Sequence, residues 1–257
     1  MIDPIALHIG PLSIRWYGIA YLVGLGLGIW IITQLNKKRP VFKNNDQIFD
    51  LAFWLFLLGV VVGGRLGYVL FYDLPYFLQN PLKVFAIWEG GMSFHGGLIG
   101  SVLVGIWFCR KHKIDFLSAA DLIVIPGALA QGIGRLGNFV NRELLGRPIL
   151  DHHWDFLGID FGDGILRYPS QLFQCAEGIL TFLILLLLFS KHPKKGTILF
   201  SYLILNGFFR FLSEFYRTPD SQIGYLFGFL TLGQIFGLAV LLVGLLGLFW
   251  PRRIHKA

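Results

Sequence analysis

Runs of about twenty apolar residues recur along this chain, most of them closed by a cluster of lysines and arginines. Twenty helical residues rise roughly 30 Å, the hydrocarbon thickness of a bilayer. Seven such runs are read at residues 16–35, 48–71, 94–109, 118–139, 171–190, 197–214 and 231–250, the fourth interrupted by Pro126 and several glycines. Only 14% of the residues are charged, where soluble domains carry about 25%, so there is too little polar surface to enclose these runs in water. Disorder is excluded by the 55% hydrophobic content. The pattern predicts an all-α polytopic membrane protein of about seven transmembrane helices, with residues 1–257 forming a single integral domain.

The loop charges orient the helices. Lys37, Lys38, Arg39 and Lys43 follow the first run, and Arg110, Lys111 and Lys113 the third. Lys191, Lys194 and Lys195 follow the fifth, and Arg252, Arg253 and Lys256 the seventh. These are 13 of the 22 basic residues, all in alternate connections. The opposite connections hold Lys83, Arg142, Arg147, Arg167 and Arg217. Cytoplasmic loops carry the excess of Lys and Arg, so the N-terminus is expected outside and the C-terminus in the cytoplasm. Residues 140–170, with Asp151, Asp155, Asp160 and Asp163, then form a small extracytoplasmic excursion. No cleaved leader is expected, because Arg15 is the first basic residue and the run after it is long enough to remain a span. Gly24/Gly28, Gly59/Gly63, Gly63/Gly67, Gly96/Gly100 and Gly233/Gly237 have the spacing that lets helix backbones approach closely in lipid.

The net charge of +7 is therefore assigned to topology and anionic lipid headgroups, and no nucleic-acid partner is expected. Cys109 and Cys175 lie in or beside apolar runs without Cys/His spacing, so neither a zinc site nor a disulfide framework is indicated. Gly-x-Ser-x-Gly, His-Glu-x-x-His and P-loop patterns are absent, which removes sequence support for serine, metal or nucleotide mechanisms.

Arg15, Arg65, Arg135 and Arg210 remain outside the loops. Arg15 can snorkel to an interface, but a guanidinium within a transmembrane helix costs about 2.5–3.5 kcal/mol and needs a partner or an anion. The expected topology brings Arg65, Arg135, Arg210, His95 and Tyr17 to the outer leaflet and leaves Asp121 at the inner side. In Gly132-Ile-Gly-Arg-Leu-Gly-Asn-Phe-Val-Asn-Arg-Glu143, continued helix would place Arg135, Asn138 and Asn141 on one face. Such a face suits a phosphate, which a planar guanidinium binds through paired, charge-assisted bonds. The alternative is an Arg135 held by carbonyls or by Glu143. Arg210, Glu214 and Arg217 stand at i, i+4 and i+7, either as an ordinary helix ion pair or with Glu214 aiming Arg210 at a ligand. His95 lies in Gly90-Gly-Met-Ser-Phe-His-Gly-Gly-Leu-Ile-Gly100, where Gly96 and Gly97 give a substrate room to approach. Its imidazole is either a proton acceptor or an interfacial hydrogen-bonding group.

These segments together resemble the prolipoprotein diacylglyceryl transferases, integral membrane enzymes of bacterial lipoprotein maturation. The matching text is Trp16-Tyr17-Gly18, Gly64-Arg65-Leu66-Gly67, Ser93 to Gly100, Gly134-Arg135-Leu136-Gly137-Asn138-Phe139-Val140-Asn141 with Glu143, and Arg210 to Arg217 followed by Pro219-Asp220. The resemblance implies transfer of the diacylglyceryl group from phosphatidylglycerol to the lipobox cysteine in a prolipoprotein signal peptide, giving a thioether and glycerol phosphate. It places the enzyme in the bacterial cytoplasmic (inner) membrane, among membrane lipids, with its active site towards the outer leaflet and without metal or cofactor. Arg135 and Arg210 are implied to contact the lipid headgroup, with Tyr17, Asn138, Asn141, Glu143, Glu214 and Arg217 around them. One departure is Asn206, where the family pattern has a tyrosine; Tyr202 or Tyr216 stands near enough in sequence to replace it.

The chemistry is consistent with those residues. A thiolate attacks, and a base (His95 is the candidate) or a positive field raises its fraction. The departing phosphate ester is an anion, whose growing charge Arg135 and Arg210 can stabilise. An anion transporter is the rival reading, since intramembrane charges also mark ion paths, but it calls for polar groups through the full membrane depth. A non-catalytic lipid-binding scaffold is the third.

Overall fold

The computed structural model describes residues 5–9, 12–218, 225–226 and 230–249, and the basic tail after Phe249 and Pro219-Asp220 lie outside them. The chain is mostly helical, and five helices are long and apolar enough to cross a membrane. These are α1 (Trp16–Lys38), the continuous 27-residue Asn45–Phe71, α6 (Phe116–Val140), α7 (Ser170–Ser190) and α9 (Leu232–Phe249). Asn45–Phe71 consists of α2 (Asn45–Trp54), a π-helical segment Leu55–Val62 and α3 (Gly63–Phe71). Between these lie the short α4 (Leu74–Gln79), the 19-residue α5 (Phe94–His112) and the 17-residue apolar α8 (Thr197–Ser213). Each of the seven apolar runs is thus a helix, with ends within a few residues of expectation. Leu22, Trp30, Phe53 and Leu187 stand uncovered on helix exteriors, as contact with lipid requires. α6 runs through Pro126 without a break.

The all-α expectation is corrected in one respect. Three short antiparallel hairpins flank the helices: β1 (Ile5–Ile9) with β2 (Leu12–Arg15), β3 (Ile159–Asp160) with β4 (Leu166–Arg167), and β5 (Tyr225–Leu226) with β6 (Leu230–Thr231). The first pairs Leu7 with Ile14 and leads directly into α1. Hairpins of this length carry almost no periodic signal, which is why the sequence reads as loop there.

The helices cluster as two compact units, residues 32–119 and residues 1–31 with 120–257. In the first, the Asn45–Phe71 helix crosses α5 through glycines. A Cβ on Gly63 would lie 2.8 Å from the Gly96 carbonyl oxygen, and one on Gly67 2.6 Å from the Gly96 Cα. Only glycine permits backbones this close, so the Gly63/Gly67 and Gly96/Gly100 spacings are packing devices. Arg65, buried on the same helix, donates to the carbonyls of Lys83, Val84, Ala86, Gly90 and Gly91. It staples the 80–91 segment and has no donor left for an anion.

In the second unit, Leu122, Ile125, Leu185 and Ile198 are fully covered where α6, α7 and α8 pack. The α6–α7 crossing is again glycine-built: a Cβ on Gly178 would meet the Ala128 carbonyl at 2.9 Å. Asp121 on α6, also fully buried, accepts from the backbone N–H of Gly196 (2.7 Å) and of Leu199 (2.8 Å). It caps the N-terminus of α8 from another helix, where a carboxylate answers both the open donors and the helix dipole. Asp121 is therefore a structural tie.

Residues 141–169 form a connection with little regular structure, in which each aspartate noted in the sequence closes a local turn. Asp160 Oδ1 accepts from Gly162 N–H and Gly164 N–H, Asp163 pairs with Arg167 at 2.8 Å, and Asp151 accepts from His153 N–H. His152 Nδ1 lies 3.0 Å from Asp155, and this bond to the carboxylate raises the imidazole above its ordinary 6.5. Because the folded value is raised, the contact is fully present below pH ~6.5 and is lost as pH rises through the shifted value. A histidine NMR titration is expected to place His152 above the unperturbed range, and Asp155→Asn to return it there.

Candidate active site

The second unit gathers nearly all the arginine-linked residues that the sequence singled out. Arg135 lies on the last turns of α6 and Arg210 on the last turn of α8, and both line one cleft. Gln131, Gln174, Glu177, Gly178, Thr181, Asn206, Phe209 and Ser213 complete its walls.

The two arginines differ in how their charge is met. Arg210 pairs with Glu214 at 2.5 Å, and Glu214 is itself buried and accepts from Thr231 Oγ1 at 2.6 Å. Arg217 approaches the same carboxylate at 3.7 Å. Glu214 therefore orients Arg210 rather than merely decorating a helix. Arg135 has no carboxylate within ion-pair distance among the described residues, and its one hydrogen bond there is a long 3.4 Å contact to Asn138 Oδ1. Glu143 does not neutralise it. That carboxylate accepts instead from Asn138 Nδ2 (3.1 Å) and Asn141 Nδ2 (3.3 Å). An intramembrane guanidinium with so little protein partnering, facing a cleft, has bonding capacity for an anion.

Local structure explains the rest of this arrangement. The helix ends at Val140, so Asn141 leaves the face it would have shared with Arg135 and folds back onto Glu143. Gln171 Nε2 holds the Glu143 carbonyl at 2.7 Å, tying this corner to α7. Tyr17 reaches the same region from α1, its ring lying against Gly137, where a Cβ would be 2.8 Å from the tyrosine Cδ2. Its hydroxyl is 2.8 Å from that of Tyr21. Arg147 fastens the connection after α6 to the end of α8, donating to the carbonyls of Glu214 and Arg217. Asn206 donates to Gln131 Oε1 at 2.9 Å, and the Tyr202 hydroxyl reaches the same oxygen at 3.4 Å. Tyr216 is used elsewhere, edge-on to Tyr168 and Phe173.

Arg65, His95, Gly96 and Gly97 belong to the other unit. His95 is exposed in the first turn of α5, whose N-terminus Ser93 caps by accepting from Gly96 N–H. Gly96 is taken up by the helix crossing, whereas Gly97 makes only ordinary contacts with Val60.

The sequence did not single out Gln131, Gln174, Glu177 or Thr231, and it marked Gly233 only as a packing glycine. Glu177 had a usable signal, since a carboxylate inside an apolar run raises the same question as an arginine there. The others carry no charge and declare themselves only when the helices meet.

A model of the prolipoprotein diacylglyceryl transferase family matches residues 4–250. The phosphatidylglycerol–prolipoprotein diacylglyceryl transferase of Pseudomonas fluorescens is 46% identical over 256 residues, covering 97% of this chain and 93% of that protein. The enzyme of the same name from Geobacter sulfurreducens is 43% identical over 247 residues, covering 95% of this chain and 93% of its own.

Gly233 makes room for the Arg210–Glu214 pair: a Cβ there would lie 2.5 Å from both Arg210 Nη2 and Glu214 Oε1. Gly233→Val is expected to destabilise the folded protein by about 1–3 kcal/mol through overpacking. Thermal unfolding in detergent checks this against Gly26→Ala, where nothing lies within 4 Å of an added Cβ.

Proposed function

The chain belongs to the prolipoprotein diacylglyceryl transferase family, and from that premise we propose that it moves the diacylglyceryl group of phosphatidylglycerol onto the lipobox cysteine of prolipoproteins. The observation that carries the reading is the cleft shared by Arg135 and Arg210, in which Arg135 has no carboxylate of its own among the described residues. The sulfur–hydrogen bond of the cysteine gives its proton to a base. The sulfur lone pair then attacks the lipid glycerol carbon, the carbon–oxygen bond to phosphate breaks, and its electron pair leaves on glycerol phosphate. Arg135 and Arg210 grip the phosphate and stabilise the charge that develops on it. Glu214 holds Arg210 in place, and Asn138, Asn141, Glu143 and Tyr17 hold the end of α6 that presents Arg135. His95 is the proposed base, an exposed imidazole in the first turn of α5 whose ring nitrogen can accept a proton.

The finer topology is part of the same reading. α5 and α8 cross the membrane together with the five longer spans, giving seven in a single integral domain, with the N-terminus outside and the C-terminus in the cytoplasm. Support comes from the charges. If α5 failed to cross, the basic clusters after α5 and α7 would lie on the opposite side from that after α1, and if α8 failed to cross, Arg252, Arg253 and Lys256 would lie opposite all three. Residues 140–170 then lie outside the bacterial inner membrane and the cleft opens towards the outer leaflet.

Arg135→Lys keeps the charge and removes the planar fork. Thioether formation on a lipobox peptide, read by mass spectrometry with phosphatidylglycerol as donor, is expected to fall by about 100-fold or more, with membrane insertion intact. Wild-type rates in that variant would refute the role of Arg135. In topology mapping, single cysteines introduced at Ser190 and Asn44 are expected to resist a membrane-impermeant thiol reagent in intact cells, and one at Asp155 to react. Labelling of all three would overturn the orientation.

A further inference from the structure

Beside the two guanidiniums, the cleft carries a carboxylate and amides that the phosphate grip does not use. Glu177, on α7, lines the same space as Arg135 and Arg210. Its carboxylate accepts no hydrogen bond among the described residues. Gln131 on α6 and Asn206 on α8 line the same cleft. They are joined through Asn206 Nδ2 and Gln131 Oε1 at 2.9 Å, which leaves Gln131 Nε2 and Asn206 Oδ1 without a partner there. A carboxylate within a membrane helix is costly, and one placed beside an anion site weakens that site's field. It is accounted for when the ligand brings hydroxyl donors.

We propose that Glu177, Gln131 and Asn206 form a hydroxyl-reading subsite, which holds the terminal diol of a glycerol headgroup while Arg135 and Arg210 hold its phosphate. The proposal rests on the transferase reading above and adds the residues that choose the donor lipid. A vicinal diol supplies two O–H donors and two acceptor oxygens. Glu177 and Asn206 Oδ1 take the former, and Gln131 Nε2 meets the latter. Hydroxyl bonds to a carboxylate are short and charge-assisted. An ammonium headgroup fits less well. It would leave the Gln131 donor unsatisfied and set a third cation beside Arg135 and Arg210.

The test uses the full chain in detergent with a lipobox peptide and two donors with identical acyl chains, phosphatidylglycerol and phosphatidylpropanol. The second has the same three-carbon headgroup without hydroxyls. Thioether product is counted by mass spectrometry and kcat/KM is obtained for each lipid. The wild-type protein is expected to prefer phosphatidylglycerol by about tenfold or more, because a site built for hydroxyls rejects the analogue lacking them. Glu177→Gln is expected to bring that ratio to within about threefold, through a higher KM for phosphatidylglycerol. Asn206→Leu is expected to shift the ratio the same way and serves if the first variant does not fold. A wild-type protein without preference, or variants that keep the wild-type ratio, would overturn the proposal. Equal loss with both lipids would do so too, because Glu177 would then be acting on the thiol. A wild-type protein that forms no thioether from phosphatidylglycerol would instead sink the transferase reading itself.

Discussion

Inside a bilayer no water is available to complete the bonding of a charged or polar group, so each one must be answered by the protein itself or by something the protein binds. That constraint sorts the polar residues of this chain. Arg65 is answered by five backbone carbonyls, and Asp121 by two backbone N–H groups at the start of α8. Arg210 is answered by Glu214, which is in turn held by Thr231. Arg135 alone among these four has no strong partner among the described residues, and it stands at a cleft. Arg135 is distinguished by what its neighbours fail to supply.

Glycine makes the other partnerships possible. Close crossings at Gly63/Gly96 in one unit, and at Gly132/Gly178 and Gly207/Gly237 in the other, bring backbones near enough for polar side chains on adjoining turns to meet. Gly233 does the same for an ion pair, since any side chain there would occupy the space of Arg210 and Glu214. The connection after α6 is a fastening rather than a loose loop. Through Arg147 and Gln171 it binds the end of α6 to α7 and α8, so that Arg135 and Arg210 share one cleft.

A carboxylate in an arginine cleft runs against simple electrostatic economy, and it changes how the cleft is understood. Two cations alone would hold any phosphate. Cations beside hydroxyl acceptors and an amide donor hold a phosphate that carries a polyol, which is the headgroup of the lipid named in the relatives' activity. Binding and donor choice then belong to one cleft built from three helices.

Much was legible before any coordinates. Bilayer thickness turns hydropathy into helices of nearly fixed length, so all seven helices could be placed to within a few residues. The cost of a buried guanidinium made Arg135 and Arg210 conspicuous in the same way. These signals are local, and a chain states them residue by residue. Whether a charge is satisfied is not local: Asn206 meets Gln131 across 75 residues, Gly196 meets Asp121 across another 75, and Arg65 is quenched by a segment that reads as an ordinary loop. The sequence by itself therefore determined the spans and the residues too costly to be idle. Only the packing of the helices decided which of those residues are structural, which is left to bind, and which uncharged neighbours stand beside it.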